Sequence, residues 1–272
     1  MSDSPIPQTA KTLIFTQTTS LLTAALIILA SVVGLVSPSE FYPSEALRQF
    51  ALANDVTNLM IGVPILLGSI WLDRRGKYLG RLLWPGALMY TLYNYLAYVV
   101  ALPISWLYVT YLLIVALSLY SLISAAANID INTAKQRLNG KVPQRFAGGV
   151  LLLLGGFVFI RVFAVIASAQ LGTSVIEITD RSLLLADALL APAWILGGFL
   201  LWKKRALGYA ASLALLFQGS MLFLGLIIVL ALQPIFTEAS FPLADILVVA
   251  AMGLICFVPL FSFLRAATSA EI

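Results

Sequence analysis

Histidine is absent from this chain of 272 residues, cysteine occurs once, and only 10% of positions carry a formal charge. Without histidine, the usual zinc sites, histidine-ligated haem and histidine-based triads have no ligand or base to build on. Cys256 has no partner for a disulfide within the chain and reads as a small packing residue in an apolar stretch. Every lysine falls in a loop or tail, which argues against a Schiff base inside a helical bundle. No Gly-x-Ser-x-Gly elbow, P-loop or closely spaced aspartate pair occurs. The chain offers no catalytic residue, metal site or cofactor motif, so an intramembrane lipid-modifying enzyme is the least favoured reading.

Scarce charge also decides the solvent. With 61% hydrophobic residues and a mean hydropathy of +1.00, there is too little polar surface to cover a water-soluble globule. A membrane-crossing helix needs about 20 apolar residues. Eight such stretches can be drawn, at about 13–36, 52–72, 81–101, 105–127, 147–170, 184–202, 207–231 and 244–265. A β-barrel would need short alternating segments, whereas Leu21 to Val36 and Gly148 to Phe163 are nearly continuous apolar runs. The expected fold is therefore all-α and polytopic. The first stretch is too long for a signal-peptide core, so it reads as a retained helix behind a short polar tail, 1–12.

Lysine and arginine gather on one side of this arrangement. Arg74, Arg75, Lys77 and Arg81, then Lys135, Arg137, Lys141 and Arg145, then Lys203, Lys204, Arg205 and Arg265 share one face if both termini are cytoplasmic. The opposite loops hold Glu40, Glu45, Glu177, Asp180 and Glu238 against Arg48 and Arg181. A multi-pass plasma-membrane localisation is the expectation. These cations sit in topology-setting loops with no basic, aromatic-lined groove, so nucleic acid is not an expected partner. Anionic lipid head groups at Lys135, Arg137, Lys141 and Arg145 are.

The chain repeats itself at an offset of 128 residues. Pro64 recurs as Pro192, Leu79-Gly80 as Leu207-Gly208, and the basic loop of Arg74, Arg75 and Lys77 as Lys203, Lys204 and Arg205. Two four-helix repeats, 1–128 and 147–272, joined by a basic cytoplasmic linker, 129–146, are expected. Four helices per repeat make the repeats parallel, related by an axis along the membrane normal. Leu52-Ala53-Asn54-Asp55 matches Leu184-Leu185-Ala186-Asp187 only if one helical turn is dropped, which places Asp187 about 4 to 5 Å deeper than Asp55. Pro64 and Pro192 would each kink a helix, and paired interruptions in two repeats point to a binding site between them.

Few polar groups lie inside the apolar stretches. Asp55 and Asp245 read first as helix caps near the outer interface. Arg161 is the one cation well inside a hydrophobic segment, and a pair with Asp187 is sterically reasonable, as a clasp or as part of a site. Tyr90, Asn94 and Tyr98 share one helix face, with Tyr98, Trp106 and Tyr108 assigned to the aromatic belt. The offset sets Gln218 opposite Tyr90. Asp187, Arg161, Asp55, Tyr90, Asn94 and Gln218 are the candidate lining of a cavity, with inter-helix hydrogen bonding as the plainer reading. Because the offset puts Val33 opposite Arg161, the second half is the favoured home of a site.

Asn54-Asp55-Val56-Thr57, Trp71-Leu72-Asp73-Arg74-Arg75-Gly76 and Leu92-Tyr93-Asn94-Tyr95 resemble a group of uncharacterised prokaryotic multi-pass membrane proteins. The resemblance extends over most of the chain and implies no activity. It draws interest to Asp55, Thr57, Arg74, Arg75 and the tyrosines. The leading expectation is a carrier or binder of a small molecule, lipid or ion between the two repeats. The alternative is a non-catalytic accessory or assembly subunit, alone or in a homo- or hetero-oligomer, using Gly148, Gly149, Gly155 and Gly156 for close helix contacts.

Overall fold

The computed structural model describes residues 8–172, 175–237 and 240–269. The first seven residues of the polar tail and Glu238 lie outside the described residues. The described chain is helical, without strands. Its elements are α1 (Gln8–Val36), α2 (Pro38–Phe41), α3 (Glu45–Thr57), a π-helical turn (Asn58–Gly62), α4 (Val63–Arg74), α5 (Tyr78–Ala101), α6 (Trp106–Ala127), α7 (Ile131–Leu138), α8 (Gln144–Gln170), α9 (Ile178–Trp202), α10 (Ala206–Phe236) and α11 (Leu243–Thr268).

Seven helices among the described residues are long and apolar enough to cross a membrane: α1, the run α3 to α4, α6, α8, α9, α10 and α11. The protein is thus a multi-pass membrane protein. The 81–101 stretch, expected as a further span, is α5, with 24 residues. It is absent from the seven because Tyr90, Tyr93, Asn94, Tyr95 and Tyr98 make it the least apolar of the long helices. Its place explains that composition. Packed against α4, α6, α9 and α10, it is mostly shielded by protein.

The burial pattern is that of a protein solvated by lipid. Leu153, Phe157, Ile160 and Phe163 project outward from α8, and Leu247, Leu254, Val258 and Phe261 from α11. Thr16, Ser20, Thr23, Ser31, Asp55, Ser118, Ser121 and Gln218 are fully enclosed. In hydrocarbon an unpaired polar group is costly, so hydroxyls and amides turn inward where other helices satisfy them. Two apolar cores result, one mainly from α1 to α6 and the other mainly from α7 to α11 with the start of α5.

Helix two begins earlier than expected. Ser44 accepts the Leu47 N–H through its hydroxyl and starts α3 at Glu45, not near residue 52. The helix then widens for one turn, with Val63 N–H bonded to Asn58 O, immediately before Pro64. A widened turn ahead of a proline makes room for a ring that has no N–H to give the ladder. Around Pro192, α9 continues without a break. The linker is also more ordered than a loop: Asp130 caps α7, whose Ala134 and Leu138 are buried against α10 and α11.

Segments 128 residues apart fold alike in detail. Lys77 N–H bonds to Leu72 O and Gly76 N–H to Asp73 O, and Arg205 N–H bonds to Leu200 O and Lys204 N–H to Leu201 O. Both ends are Schellman caps, with Gly76 at φ +73° and Lys204 at φ 54°. A Cβ added at Gly80 would strike the backbone at Leu72 and Asp73; at Gly208 it would strike Leu200 and Leu201. Where α5 crosses α10, Gly86 faces the backbone of Ala214, 128 residues on.

Candidate functional site

Two buried carboxylates, Asp55 and Asp187, take tyrosine hydroxyls from α5. Asp55 stands in the last turn of α3 and is 0% exposed. The helix-cap reading fails there, because α3 starts ten residues earlier. Tyr42 Oη donates to Asp55 Oδ2 at 2.7 Å and Tyr98 Oη to Oδ1 at 3.0 Å. Tyr98 also reaches Ala51 O, at 3.1 Å. It is enclosed and does not face the aromatic belt, whereas Trp106 is exposed. Tyr111 closes the cluster, its hydroxyl 3.5 Å from that of Tyr42 and its ring packed on Tyr95 and Tyr98.

From α1, Ser31 and Gly34 face this cluster one helical turn apart. A Cβ at Gly34 would lie 2.5 Å from Asp55 Oδ2, so only glycine allows this approach. Ser31 faces both the Asp55 carboxylate and the Tyr95 hydroxyl from α1. Among the described residues no lysine or arginine pairs with Asp55. Arg48 is spent nearby on Tyr42 O and Glu45.

Asp187 is held differently. Arg161 Nη1 donates to Oδ2 at 2.6 Å, forming an ion pair between α8 and α9, and Tyr93 Oη donates to Oδ1 at 2.9 Å from α5. The carboxylate is buried, while the Arg161 side chain is 47% exposed on the face that carries Ile160 and Phe163. One guanidinium arm is tied inward and the rest of the group faces outward. Burial is thus greater at Asp55, in the first half, than at Asp187.

The remaining candidates do not join one cluster. Asn94 Nδ2 bonds back to Tyr90 O on its own helix. Tyr90 is wedged between the π-helical turn and α10, against Gly62 and Gly225. Gln218 Oε1 accepts from Trp194 Nε1 at 2.9 Å, with its Nε2 buried and unpartnered. Asp245 lies in the first turn of α11, where its charge complements the helix dipole.

Sequence reasoning missed several partners. Tyr42, Tyr93, Ser31 and Gly34 act at distances no local motif encodes. It also missed Asp73, a buried carboxylate that takes Arg81 Nε at 2.8 Å and Gln17 Nε2 at 3.0 Å, while Arg74 binds Gln17 Oε1 at 3.1 Å. Of the four linker cations, Arg137 stacks over the Tyr78 ring, Lys135 is half-buried, and Lys141 and Arg145 are exposed. Asp130, outside the membrane-crossing helices, is held below the usual carboxylate range by the Thr133 hydroxyl and by backbone N–H groups of Thr133 and Asn132.

Comparison with protein-family models, with curated proteins and with solved structures finds no match.

Proposed function

We propose that this protein is a carrier of the prokaryotic plasma membrane that moves a small polar molecule, lipid or ion between two four-helix repeats. In this reading α5 is the eighth span and both termini are cytoplasmic, because the basic residues near 74–81, 135–145, 203–205 and 265 then share the cytoplasmic face. The paired Schellman loops, the Gly80 and Gly208 contacts and the meeting of Gly86 with Ala214 support the repeat. Equivalent residues touch one another only near the axis that relates two copies, so the α5 and α10 crossing is a natural pivot.

The observation that carries the reading is the Asp187 triad. Arg161 comes from the same repeat as Asp187, but Tyr93 comes from the other. Rocking one repeat against the other therefore separates Tyr93 from Asp187 and leaves a buried carboxylate oxygen without its donor. A solute bearing a hydroxyl or ammonium group replaces that donor. Uncompensated, the opening costs about 1–3 kcal/mol, so the solute's hydrogen bond biases the motion. Tyr98 and Asp55 belong to one repeat and stay together.

The accessory-subunit reading leans on the α8 glycines, and Gly148 and Gly155 are already packed on α9 at Gly198 and Ala191. Gly156 alone of these has open space beside it. Exposed Lys141 and Arg145 remain available to anionic lipid head groups.

A thermal-shift screen of amines, polyols and amino acids on purified protein, followed by uptake of the best stabiliser into liposomes, tests the proposal. Asp187→Asn combined with Arg161→Gln keeps a neutral hydrogen-bonded pair and should fold while losing uptake. Unchanged uptake in that variant refutes the role of Asp187. Native mass spectrometry that shows a bound partner chain and no small molecule favours the accessory reading.

A further inference from the structure

Arg161 is a cation on an open apolar surface with most of its hydrogen-bonding capacity unspent. It lies nine residues before the end of α8 at Gln170, about 13 Å along the helix. A helix of 27 residues is about 40 Å long and the hydrocarbon core about 30 Å, so with α8 centred on the core Arg161 sits about 8 Å inside the hydrocarbon. An untethered arginine at that depth extends its side chain to the interface. This one is held back, because Nη1 donates to Asp187 Oδ2 at 2.6 Å. Asp187 is the one acceptor that the guanidinium reaches among the described residues, which leaves its outward N–H groups without a partner in the protein.

The surroundings are apolar and accessible. The positions one turn away on the same face, Phe157, Val158, Ala164 and Val165, bring no polar side-chain atom, and Phe157 and Ala164 are exposed. Toward the membrane midplane the exposed side of α8 continues from Phe157 to Leu153, which is 74% exposed. Val162 is the last enclosed residue of α8, Gly225 the last of α10 and Gly253 the first of α11, so the ends of these three helices on that side of the membrane enclose no side chain. In the first half, enclosure reaches the corresponding ends, at Tyr42, Tyr98 and Ala101. Arg161 thus lies at the level where the second half opens to lipid, and its side chain is 47% exposed there.

We propose that Arg161 binds the carboxylate of a long-chain fatty acid, which enters sideways from the surrounding lipid and lays its chain down α8 over Phe157 and Leu153. The planar fork of a guanidinium matches the two oxygens of a carboxylate, and such a bond is strongest where water is scarce. Depth selects among acids. A carboxylate has two oxygens and nothing else polar, so the outward N–H groups of Arg161 satisfy it within hydrocarbon. A phospholipid head drawn about 8 Å inward brings ester and phosphate oxygens for which this apolar face holds no further donor.

The bound acid lies with its head toward the nearer interface and its chain toward the midplane, the orientation of the lipids around it. Asp187 keeps its Tyr93 hydrogen bond throughout, so two carboxylates share one guanidinium and one hydroxyl. Only the outward N–H groups of Arg161 are used. The inference rests on the membrane-crossing placement of α8 and not on the carrier reading, which concerns the Tyr93 side of Asp187.

The test is photolabelling of purified protein in phosphatidylcholine nanodiscs, at mildly alkaline pH, with a palmitate that carries a mid-chain diazirine, followed by peptide mapping. Labels should concentrate on α8 around Leu153 and Phe157. Unlabelled palmitate should compete, whereas palmityl alcohol, with the same chain and no charge, should compete about tenfold less well. Asp187→Asn with Arg161→Gln removes both charges together and should lower the α8 labelling by a similar factor, with size-exclusion profile and protection of Cys256 from maleimide confirming the fold. Labels spread evenly over the exposed faces of α8 and α11, equal competition by the alcohol, stronger competition by phosphatidic acid than by palmitate, or undiminished labelling of the folded double variant would each overturn the fatty-acid site. The competition arms use the wild-type protein and decide the matter even where the double variant does not fold. Solute uptake reads the carrier proposal separately, and the failure of one leaves the other standing.

Discussion

Separating Arg161 from Asp187 should be costly singly and nearly free jointly. Arg161→Met strands a carboxylate that is 6% exposed and retains only the Tyr93 hydroxyl. Breaking one side of a buried pair costs about 3–5 kcal/mol. Asp187→Asn strands the guanidinium on a face shared with Ile160 and Phe163, at about 2.5–3.5 kcal/mol if it remains in hydrocarbon and less if it reaches toward the interface. Combining Arg161→Met with Asp187→Asn leaves no charge at either position: the new amide keeps a carbonyl for Tyr93, and methionine suits lipid. That double variant should lie within about 1 kcal/mol of wild type, a coupling of about 3 kcal/mol or more. Unfolding in mixed micelles, followed by tryptophan fluorescence across all four proteins, measures this cycle. A coupling below about 1 kcal/mol would refute the argument, because that is the worth of a pair screened by water.

Gly34→Ala pushes a methyl into the Tyr42 and Asp55 contact and should destabilise by about 1–3 kcal/mol in the same unfolding assay, whereas Gly156→Ala, with open space beside it, should be near neutral. Lys204 occupies the left-handed position that glycine holds at 76, so Lys204→Gly should stabilise by about 0.5–1 kcal/mol, with a loss of stability arguing against the strain. Cys256 is fully buried and should resist maleimide until the protein unfolds; rapid labelling of folded protein would contradict the packing of α11. In a Cys256→Ala background, an impermeant maleimide should label Ile104→Cys in intact cells and Lys203→Cys only after lysis, and the reverse order would invert the proposed topology.

Much of the fold could be read from the sequence because hydrocarbon imposes a one-dimensional rule. Long apolar runs must become helices, whatever they pack against. The signal is weakest at α5, which does form at 78–101 but whose tyrosines and Asn94 lower its hydropathy because neighbouring helices shield it from lipid. Helix ends inside water or protein obey local chemistry instead, so Ser44 moved the start of helix two and turned Asp55 from an expected cap into an enclosed acid. The Arg161 and Asp187 pair was accessible because a short loop joins their helices. Tyr93, 94 residues from Asp187, was not.

Composition and local pattern were enough to establish the solvent and the class of secondary structure, since neither depends on which helices touch. Which polar groups meet was set by helix packing and by nothing shorter in range. Tyr42, Tyr98, Ser31 and Gly34 converge on Asp55, and Tyr93 and Arg161 on Asp187, because packing brings distant faces together while burial forces the polar groups on them to find partners.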